Sequence, residues 1–221
     1  MKSARRTASR PAQNARRGRR AATAPYHHGS LREAMLRAAE RILERDGIAG
    51  LTLRAAAREA GVSHAAPKNH FGDIRGLLSE LAALGFARFR TAMLANTREG
   101  ESRKARLAAI GHGYVRFAQQ NPGLFLLMFR GERLDFTRPA LRAAGEAAFG
   151  VLADTIGPHG HPETPLTLAQ AAPITAAWSL VHGFAMLLLD GRLEPLVAGM
   201  PGGSDEMNLL TAILSGTAFR M

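Results

Sequence analysis

Hydrogen-bonding side chains cluster between residues 63 and 70, where the chain reads Ser-His-Ala-Ala-Pro-Lys-Asn-His. A short helix with such donors on its exposed face, and small apolar groups beside them, can read base edges in the DNA major groove. His64 and Asn69 are the predicted base readers. Ala65 and Pro67 are predicted to contact a thymine methyl group. The chemistry that these residue types favour is therefore base recognition rather than catalysis.

A second set of side chains around this segment is suited to phosphate oxygens. Phosphate contacts position a protein on DNA without carrying sequence information, and they use basic and hydroxyl side chains or helix N-termini. Ser63 belongs to the interface as the expected N-cap of the reading helix. For His70 an alternative stays open, in which the ring packs with Phe71 against the next helix. The predicted phosphate-contacting residues are Thr52, Arg54, Lys68, His70 and Arg75.

Two short helices joined by a tight turn must position these side chains. Thr52 is a plausible N-cap of the first helix, because its hydroxyl can accept a hydrogen bond from a free backbone N–H. Gly61 can adopt the left-handed conformation that ends that helix, and Val62 then fills the space between the two helices. The pattern predicts a helix-turn-helix whose second helix enters the major groove, with a purely structural hairpin as the alternative.

The rest of the chain is predicted to be helical, with nine or ten helices and no strand. Apolar residues recur at helical spacing, N-cap residues precede the helices, and few segments alternate with period two. The uncharged segment 164–189 is predicted as one helix kinked at Pro173 or as two helices, and 193–203 is expected to be loop-like. The other predicted helices beyond the hairpin span residues 30–46, 73–96, 102–120, 121–130, 137–156 and 204–219. Asp73, Ser102 and Asn121 are the predicted N-caps of three of them.

The N-terminal part of the chain resembles the DNA-binding domain of TetR-family transcriptional regulators. The resemblance covers about residues 26–90 and rests on Thr52, Arg54, the Ala-Gly-Val-Ser run at 60–63 and the His70-Phe71 pair. Lys68 departs from the family pattern, which usually has a tyrosine there. The operator of a related protein therefore cannot be transferred to this chain.

A second resemblance lies far downstream, in the expected order. The run from Trp178 through His182-Gly183 looks like the Trp/His-Gly (WHG) signature of one TetR C-terminal domain type, and Asn121 to Phe125 fits that type as well. This resemblance implies a helical domain that binds a small molecule and dimerises. It also implies a homodimeric repressor that a ligand releases from a near-palindromic operator in double-stranded DNA, although an activator fits the same residues.

The expected domain organisation follows from these matches. Residues 1–25 form a basic tail, 26–75 the helix-turn-helix domain and 76–221 the ligand-binding and dimerisation domain. The two C-terminal helices, about 174–189 and 204–219, are the expected dimer interface, because both are apolar over more than one face. Two reading helices set about 34–36 Å apart would then recognise the two halves of one site.

Aromatic and methionine side chains between residues 80 and 189 can line a cavity for a small, largely apolar and not highly charged effector. Trp178 and His182 lie four residues apart on one helix face, and Tyr114 can join them as the polar element. The alternative is that these residues are ordinary core and that His182 satisfies a backbone carbonyl. The predicted ligand-binding residues are Phe89, Met93, Tyr114, Phe117, Phe125, Met128, Phe129, Trp178 and His182.

Composition bounds the remaining possibilities. The net charge is +11, and eight basic residues with no acid lie in residues 1–25, which should be disordered and can add non-specific phosphate contacts. Non-specific DNA binding through this tail is the alternative to base readout. The tail can also be a solvated extension or follow from a mis-assigned start. It lacks the apolar core of a secretory signal, so we expect a cytoplasmic protein.

Several function classes are not expected. With no cysteine in 221 residues, disulfides, thiolate metal sites and cysteine catalysis are impossible. No catalytic motif occurs, and the His27-His28 and His159-Gly-His161 groups have no carboxylate beside them, so neither an enzyme, a metal nor a cofactor is predicted. The uncharged segment 164–189 is long enough to span a bilayer, but its polar residues and Pro173 favour a helix packed on all sides in the interior.

Overall fold

The protein is all-helical in a computed structural model that describes residues 28–63, 65–157, 165–200 and 202–216. Ten α-helices and one 3₁₀ turn, at Gly131–Arg133, occur in these ranges, and no strand does. The predicted basic tail of residues 1–25 lies outside the described residues. The helices are α1 (His28–Gly50), α2 (Leu53–Glu59), α3 (Ala66–Phe71), α4 (Ile74–Leu94), α5 (Arg103–Gln120), α6 (Pro122–Met128), α7 (Pro139–Ile156), α8 (Leu168–Leu189), α9 (Glu194–Ala198) and α10 (Glu206–Leu214).

The helix-turn-helix forms as its sequence predicts. The Thr52 hydroxyl accepts a hydrogen bond from the Ala55 N–H, at 3.0 Å, and so caps α2. Gly61 has φ of 68°, in the left-handed region that favours glycine, which lets the chain leave α2 and turn towards α3. Ala57 is fully buried where the two helices meet, and Val62 packs against the core beside it.

Polar N-caps start the long helices at the positions that the sequence predicts. The Asp73 carboxylate accepts from the Gly76 N–H at 2.8 Å, and the Ser102 hydroxyl accepts from the Ala105 N–H at 3.2 Å. Each contact satisfies one of the donors that a helix N-terminus leaves unpaired. These caps begin α4, which contacts both the N-terminal helices and the C-terminal domain, and α5, which packs along it.

Three local predictions are wrong. Residues 193–203 are not all loop, because α9 begins at Glu194, with Pro195 in its first turn. The Asn121 side chain does not cap α6; its amide donates to the Phe117 carbonyl and closes the end of α5 instead. Ser63 does not occupy the N-cap of α3, which falls at Ala65. The Ser63 hydroxyl lies near the helix start all the same, since it accepts from the Ala65 N–H at 3.5 Å.

Helix α4 is the centre of the molecule and packs against α1, α3, α5, α6 and α7. Glycine permits the closest crossing: a Cβ added at Gly113 of α5 would lie 2.4 Å from the Ala92 carbonyl of α4. Leu77 and Leu81 are fully buried in the first half of α4, and Phe89 and Met93 are buried in the second half. One continuous core therefore runs from the helix-turn-helix into the C-terminal domain.

The uncharged segment forms the single helix α8, with Pro173 inside it. It is the one helix of the described ranges that is long and apolar enough to cross a membrane, by length and composition alone. Only 22% of its most apolar stretch is buried within the chain. The expectation that it packs on all sides in the interior is therefore wrong for the single chain, because one face of α8 is exposed in the part of the chain that the structure describes.

Candidate nucleic-acid interface and ligand cavity

The exposed face of the helix-turn-helix carries most of the side chains predicted to contact DNA. Lys68 and Asn69 are exposed on α3, and Arg54 is exposed on α2. Thr52, Ser63 and Ala65 are exposed at the ends of the two helices. His64 lies outside the described residues. The tertiary fold thus leaves basic, hydroxyl and amide groups exposed on and around α2 and α3, where a nucleic acid could approach them.

Three predicted DNA contacts have other surroundings than expected. Pro67 is buried, so its ring is not available to a thymine methyl group. The Arg75 guanidinium donates to the Leu134 carbonyl from Nε at 3.0 Å and from Nη2 at 2.6 Å, which directs it into the C-terminal domain rather than towards phosphate. His70 is half-buried beside the buried Phe71, with ring centroids 6.4 Å apart.

Ion pairs hold α2 against α1 behind this face. The Glu59 carboxylate receives Arg41 Nε at 3.1 Å and lies 3.6 Å from Arg45 Nη1. The hydrogen bond from Arg41 is the main reason why the pKa of Glu59 lies below its usual value. In this arrangement the three side chains pair with one another, so they fix α2 on α1 rather than contact DNA.

An apolar cavity of about 500 Å³ lies in the C-terminal domain. Its walls come from α4, α5, α6, α7, α8 and α10, together with the segment after α6. Its volume falls within the range of about 300–1,000 Å³ that is typical of small-molecule sites. No charged side chain is among its lining residues, so the cavity suits an uncharged, largely apolar molecule.

Six of the nine predicted ligand-binding residues line this cavity. The other three, Phe117, Phe125 and His182, are not among the residues that line it. Phe125 is fully buried behind the wall, and the His182 ring packs against Phe129 with centroids 4.6 Å apart. Helical spacing indicated a shared face but not which ring stands in front. The six lining residues are Phe89, Met93, Tyr114, Met128, Phe129 and Trp178.

Tyr114 and His182 form the polar element of this region. The Tyr114 hydroxyl and His182 Nδ1 are 2.8 Å apart and share a hydrogen bond. Burial raises the pKa of Tyr114, and burial also lowers the pKa of His182. Both side chains are therefore neutral at physiological pH, and His182 fixes the orientation of the Tyr114 hydroxyl through this bond.

Aromatic side chains surround the opening of the cavity. Phe136, Phe149 and Trp178 line it and are also 45%, 40% and 39% exposed. The rings of Phe149 and Trp178 lie with centroids 6.2 Å apart, in an edge-to-face arrangement. Exposed aromatic rings of this size beside an apolar cavity indicate an entrance through which an apolar molecule can pass.

Sequence reasoning missed the contributions of α7 and α10. Gly145, Ala148 and Phe149 line the cavity from α7, and Ile213 and Leu214 line it from α10. The spacing of Gly145 and Phe149 places them on one helix face, which is a signal that was available. Small residues on a helix face usually indicate close packing with another helix, whereas Gly145 and Ala148 border the cavity.

Metal binding finds no support in the described part of the chain, where no group of three or more His, Asp or Glu residues could hold an ion. The histidines at 159 and 161 lie outside the described residues. Neither observation tests the expectation that the protein needs no cofactor.

Comparisons with known proteins agree with the architecture. The family model described as bacterial regulatory proteins of the tetR family matches residues 35–81, and the model of tetracyclin repressor-like C-terminal domains matches residues 107–208. The chain is 28% identical over 97 residues to an uncharacterized HTH-type transcriptional regulator, YobS, of Bacillus subtilis. That match spans 44% of this chain and half the length of the relative.

Solved structures share the fold over most of the chain. A protein of unknown function from Rhodococcus sp. RHA1 is 35% identical with a TM-score of 0.68, covering 86% of this chain and 95% of its own. A TetR transcriptional regulator from Rhodococcus sp. RHA1 is 17% identical with a TM-score of 0.56, and the match covers 84% of this chain and 96% of that one. At this identity the match shows a similar fold alone. The WHG type of C-terminal domain stays a prediction. With both characteristic domains matched in order, the chain belongs to the TetR family of transcriptional regulators.

Proposed function

We propose that this regulator is a homodimeric, sequence-specific DNA-binding repressor that a small, uncharged, largely apolar molecule releases from its operator. The observation that carries the proposal is the course of α4. This helix begins at Ile74, three residues after α3 ends at Phe71, and its second half supplies Phe86, Phe89 and Met93 to the cavity wall. One rigid element thus connects the reading helix to the cavity.

Base readout is assigned to α3 in this proposal. Asn69 is exposed on the helix and suits adenine, which asparagine can bind through two hydrogen bonds. Lys68 and Arg54 supply phosphate contacts, and Thr52 and Ser63 add hydroxyl donors at the helix ends. His64 remains a proposed base reader on its sequence position alone. The helix-turn-helix domain is taken as 26–75 and the effector and dimer domain as 76–221.

Dimerisation is supported by the uncovered face of α8. Ala172, Ala176, Ser179, Gly183 and Leu187 are exposed at spacings of three or four residues, so they form one stripe along the helix. No atom lies within 4 Å of the position that a Cβ would take at Gly183. A stripe of mostly small and apolar side chains allows a second helix to approach closely. Helices α8 and α10 from two copies of the chain would then form a four-helix interface.

An effector can release the dimer from DNA only if it binds two arrangements of the dimer with different affinities. A molecule that fills the cavity more readily when the reading helices are mis-spaced would shift the balance away from the DNA-bound form. A tenfold difference in affinity corresponds to about 1.4 kcal/mol. The neutral Tyr114 hydroxyl offers the effector one hydrogen bond, and the rest of the wall offers apolar contact.

Selection from a random duplex library with the full chain, repeated with residues 26–221, tests this function. Enrichment of one near-palindrome by both proteins is the expected result. If only the full chain retains DNA, and retention ignores sequence and collapses with added salt, the basic tail is the binder and the proposal fails. The position of the enriched site relative to a promoter then separates a repressor from an activator.

The cellular location follows from the same proposal. A regulator that binds operators acts in the cytoplasm, where bacterial DNA is. The exposed apolar face of α8 is assigned to the second subunit rather than to a lipid bilayer. Light scattering that shows a monomer at micromolar concentration would contradict this assignment.

A further inference from the structure

Residues 129–138 cross from the cavity to the helix-turn-helix, and this segment is here named the strap. Phe129, Gly131 and Phe136 of the strap line the cavity, and Phe136 stands at its opening. Leu134 is 1% exposed and anchors the strap in the core between these positions. The strap therefore has one side in contact with the space that an effector would occupy.

The other side of the strap is bonded to the first turns of α4. The Leu134 carbonyl accepts both hydrogen bonds of the Arg75 guanidinium, at 3.0 and 2.6 Å. The Asp135 N–H donates to the Ser79 hydroxyl at 2.8 Å, and that buried hydroxyl donates in turn to the Arg75 carbonyl at 2.7 Å. Buried and charge-assisted hydrogen bonds of this kind resist separate movement of the two segments.

Arg138, the last residue of the strap, reaches the reading helix itself. Its Nη2 donates to the carbonyl of Phe71, the last residue of α3, at 3.0 Å. Its guanidinium also lies 3.6 Å from Glu80 and 3.7 Å from Asp135. A cation at a helix C-terminus is favourable, because the carbonyl end of the helix carries partial negative charge.

The space for this contact is created at Gly76. A Cβ there would lie 2.5 Å from Arg138 Nη2 and 1.9 Å from the Phe71 carbonyl oxygen. Any larger residue at Gly76 would therefore separate the guanidinium from the end of α3. The absence of a side chain at Gly76 is therefore what allows Arg138 to reach the end of α3.

We infer that Arg138 is a positioning residue that transmits the state of the cavity to the reading helix. An effector entering past Phe136 displaces the strap, and the Arg138 contact then moves the C-terminal end of α3. Arg75 and Ser79 tie the same strap to α4, so α3 and α4 shift together. This inference rests on the proposed function in taking the cavity as the effector site and α3 as the reading helix.

Hydrogen exchange of the full chain, with and without the neutral apolar fluorophore N-phenyl-1-naphthylamine, tests this role. In the unsubstituted protein, bound fluorophore is expected to change the exchange rates of amides at 65–72 as well as those of the cavity wall. Arg138→Met, which keeps the length of the side chain but has no donor, is expected to bind the fluorophore with unchanged affinity. In this variant the change in exchange rate at 65–72 should be lost. The loss of one charge-assisted hydrogen bond corresponds to about a tenfold effect on those rates.

Arg142→Met is the matched control, because Arg142 lies in the first turn of α7, which begins directly after Arg138, and pairs only weakly with Glu146, at 3.9 Å, among the contacts described. It should keep the change at 65–72. Gly145→Phe provides a second occupant without any added molecule, since no atom lies within 4 Å of a Cβ at this cavity-lining position. Its effect at 65–72 should also disappear when Arg138→Met is added.

Two results would overturn the inference. If Arg138→Met retains the change at 65–72 in full, α4 alone carries the signal. If an occupied cavity leaves 65–72 unaffected in the unsubstituted protein, no signal reaches the reading helix. Operator selection is measured separately, so a failure of the proposed DNA binding is distinguishable from a failure of this coupling.

Discussion

Glu44 of α1 accepts a hydrogen bond from the Leu124 N–H of α6, at 3.0 Å, although 80 residues separate them in the chain. Its second oxygen accepts from the Gly123 N–H, also at 3.0 Å. One carboxylate thereby satisfies two donors at the start of α6, where negative charge is favourable. The first helix of the DNA-binding domain thus supplies the N-terminal cap of a helix that walls the cavity.

Glu44→Gln is therefore expected to lower the free energy of unfolding by about 1 kcal/mol, because it removes the charge from that helix end. Denaturation by urea, followed by circular dichroism, measures the change. Glu33→Gln is the control: Glu33 is well exposed and pairs with Arg37 at 3.4 Å, so its loss should have almost no effect. Equal stability of the two variants would show that the Glu44 contact contributes nothing to folding.

Asn69→Ala and Lys68→Ala should affect DNA binding in different ways. Asn69→Ala is expected to cost about 1–3 kcal/mol on the selected operator and to relax the preference at one base pair. Lys68→Ala should weaken binding to all sequences alike and reduce the salt dependence by about one counterion. Titrations on the operator and on single-base variants, at several salt concentrations, measure both. If the Asn69 variant loses affinity equally for all of these sequences, Asn69 does not read a base.

His182 predicts a dependence of stability on pH. Burial lowers the pKa of His182 in the folded protein below its ordinary value of 6.5, so the unfolded chain binds the proton more readily. The contribution of this shift to the free energy of unfolding is fully present above pH 6.5. It is lost as the pH falls towards the lowered pKa. His112 shifts in the same direction, mainly through burial, and contributes to the same loss.

His182→Gln should consequently flatten the fall in unfolding free energy below pH 6.5, with a residual slope from His112. Urea denaturation at a series of pH values between neutral and mildly acidic gives the slope. His112→Gln serves as the comparison, since its ring bonds Thr211 rather than Tyr114. An unchanged slope in both variants would mean that neither imidazole is held neutral by the fold.

Gly183→Glu should convert the dimer to a monomer without harming the fold of the single chain. The position is exposed, a Cβ there meets nothing within 4 Å, and glycine is about 1 kcal/mol less favourable in a helix than a good helix former. Two glutamates facing each other across a close helix pair would repel. Light scattering should show half the mass, with unchanged helical circular dichroism and a large loss of operator affinity.

Ala143→Glu, an exposed substitution on α7, is the control for added charge and should remain dimeric. If Gly183→Glu also remains dimeric, the subunits meet on another surface, and the exposed stripe of α8 needs a different explanation.

Local signals in the sequence were sufficient for much of the fold. The caps at Thr52, Asp73 and Ser102 and the left-handed Gly61 depend on neighbours within a few residues, so the order of the helices and the helix-turn-helix followed from the chain alone. Residue 121 shows the limit of such signals. Its Asn-Pro pattern located the boundary between α5 and α6 correctly, but the side chain bonds backwards to Phe117.

Long-range contacts decided the rest. Arg75 is placed like a phosphate contact in the sequence, yet the Leu134 carbonyl 59 residues away receives its guanidinium. Phe125 and His182 have the residue types of a ligand site but stand behind Phe129 and Tyr114, because which ring faces a cavity depends on how six helices cross. Periodicity assigns a residue to a helix face; only packing determines what that face meets.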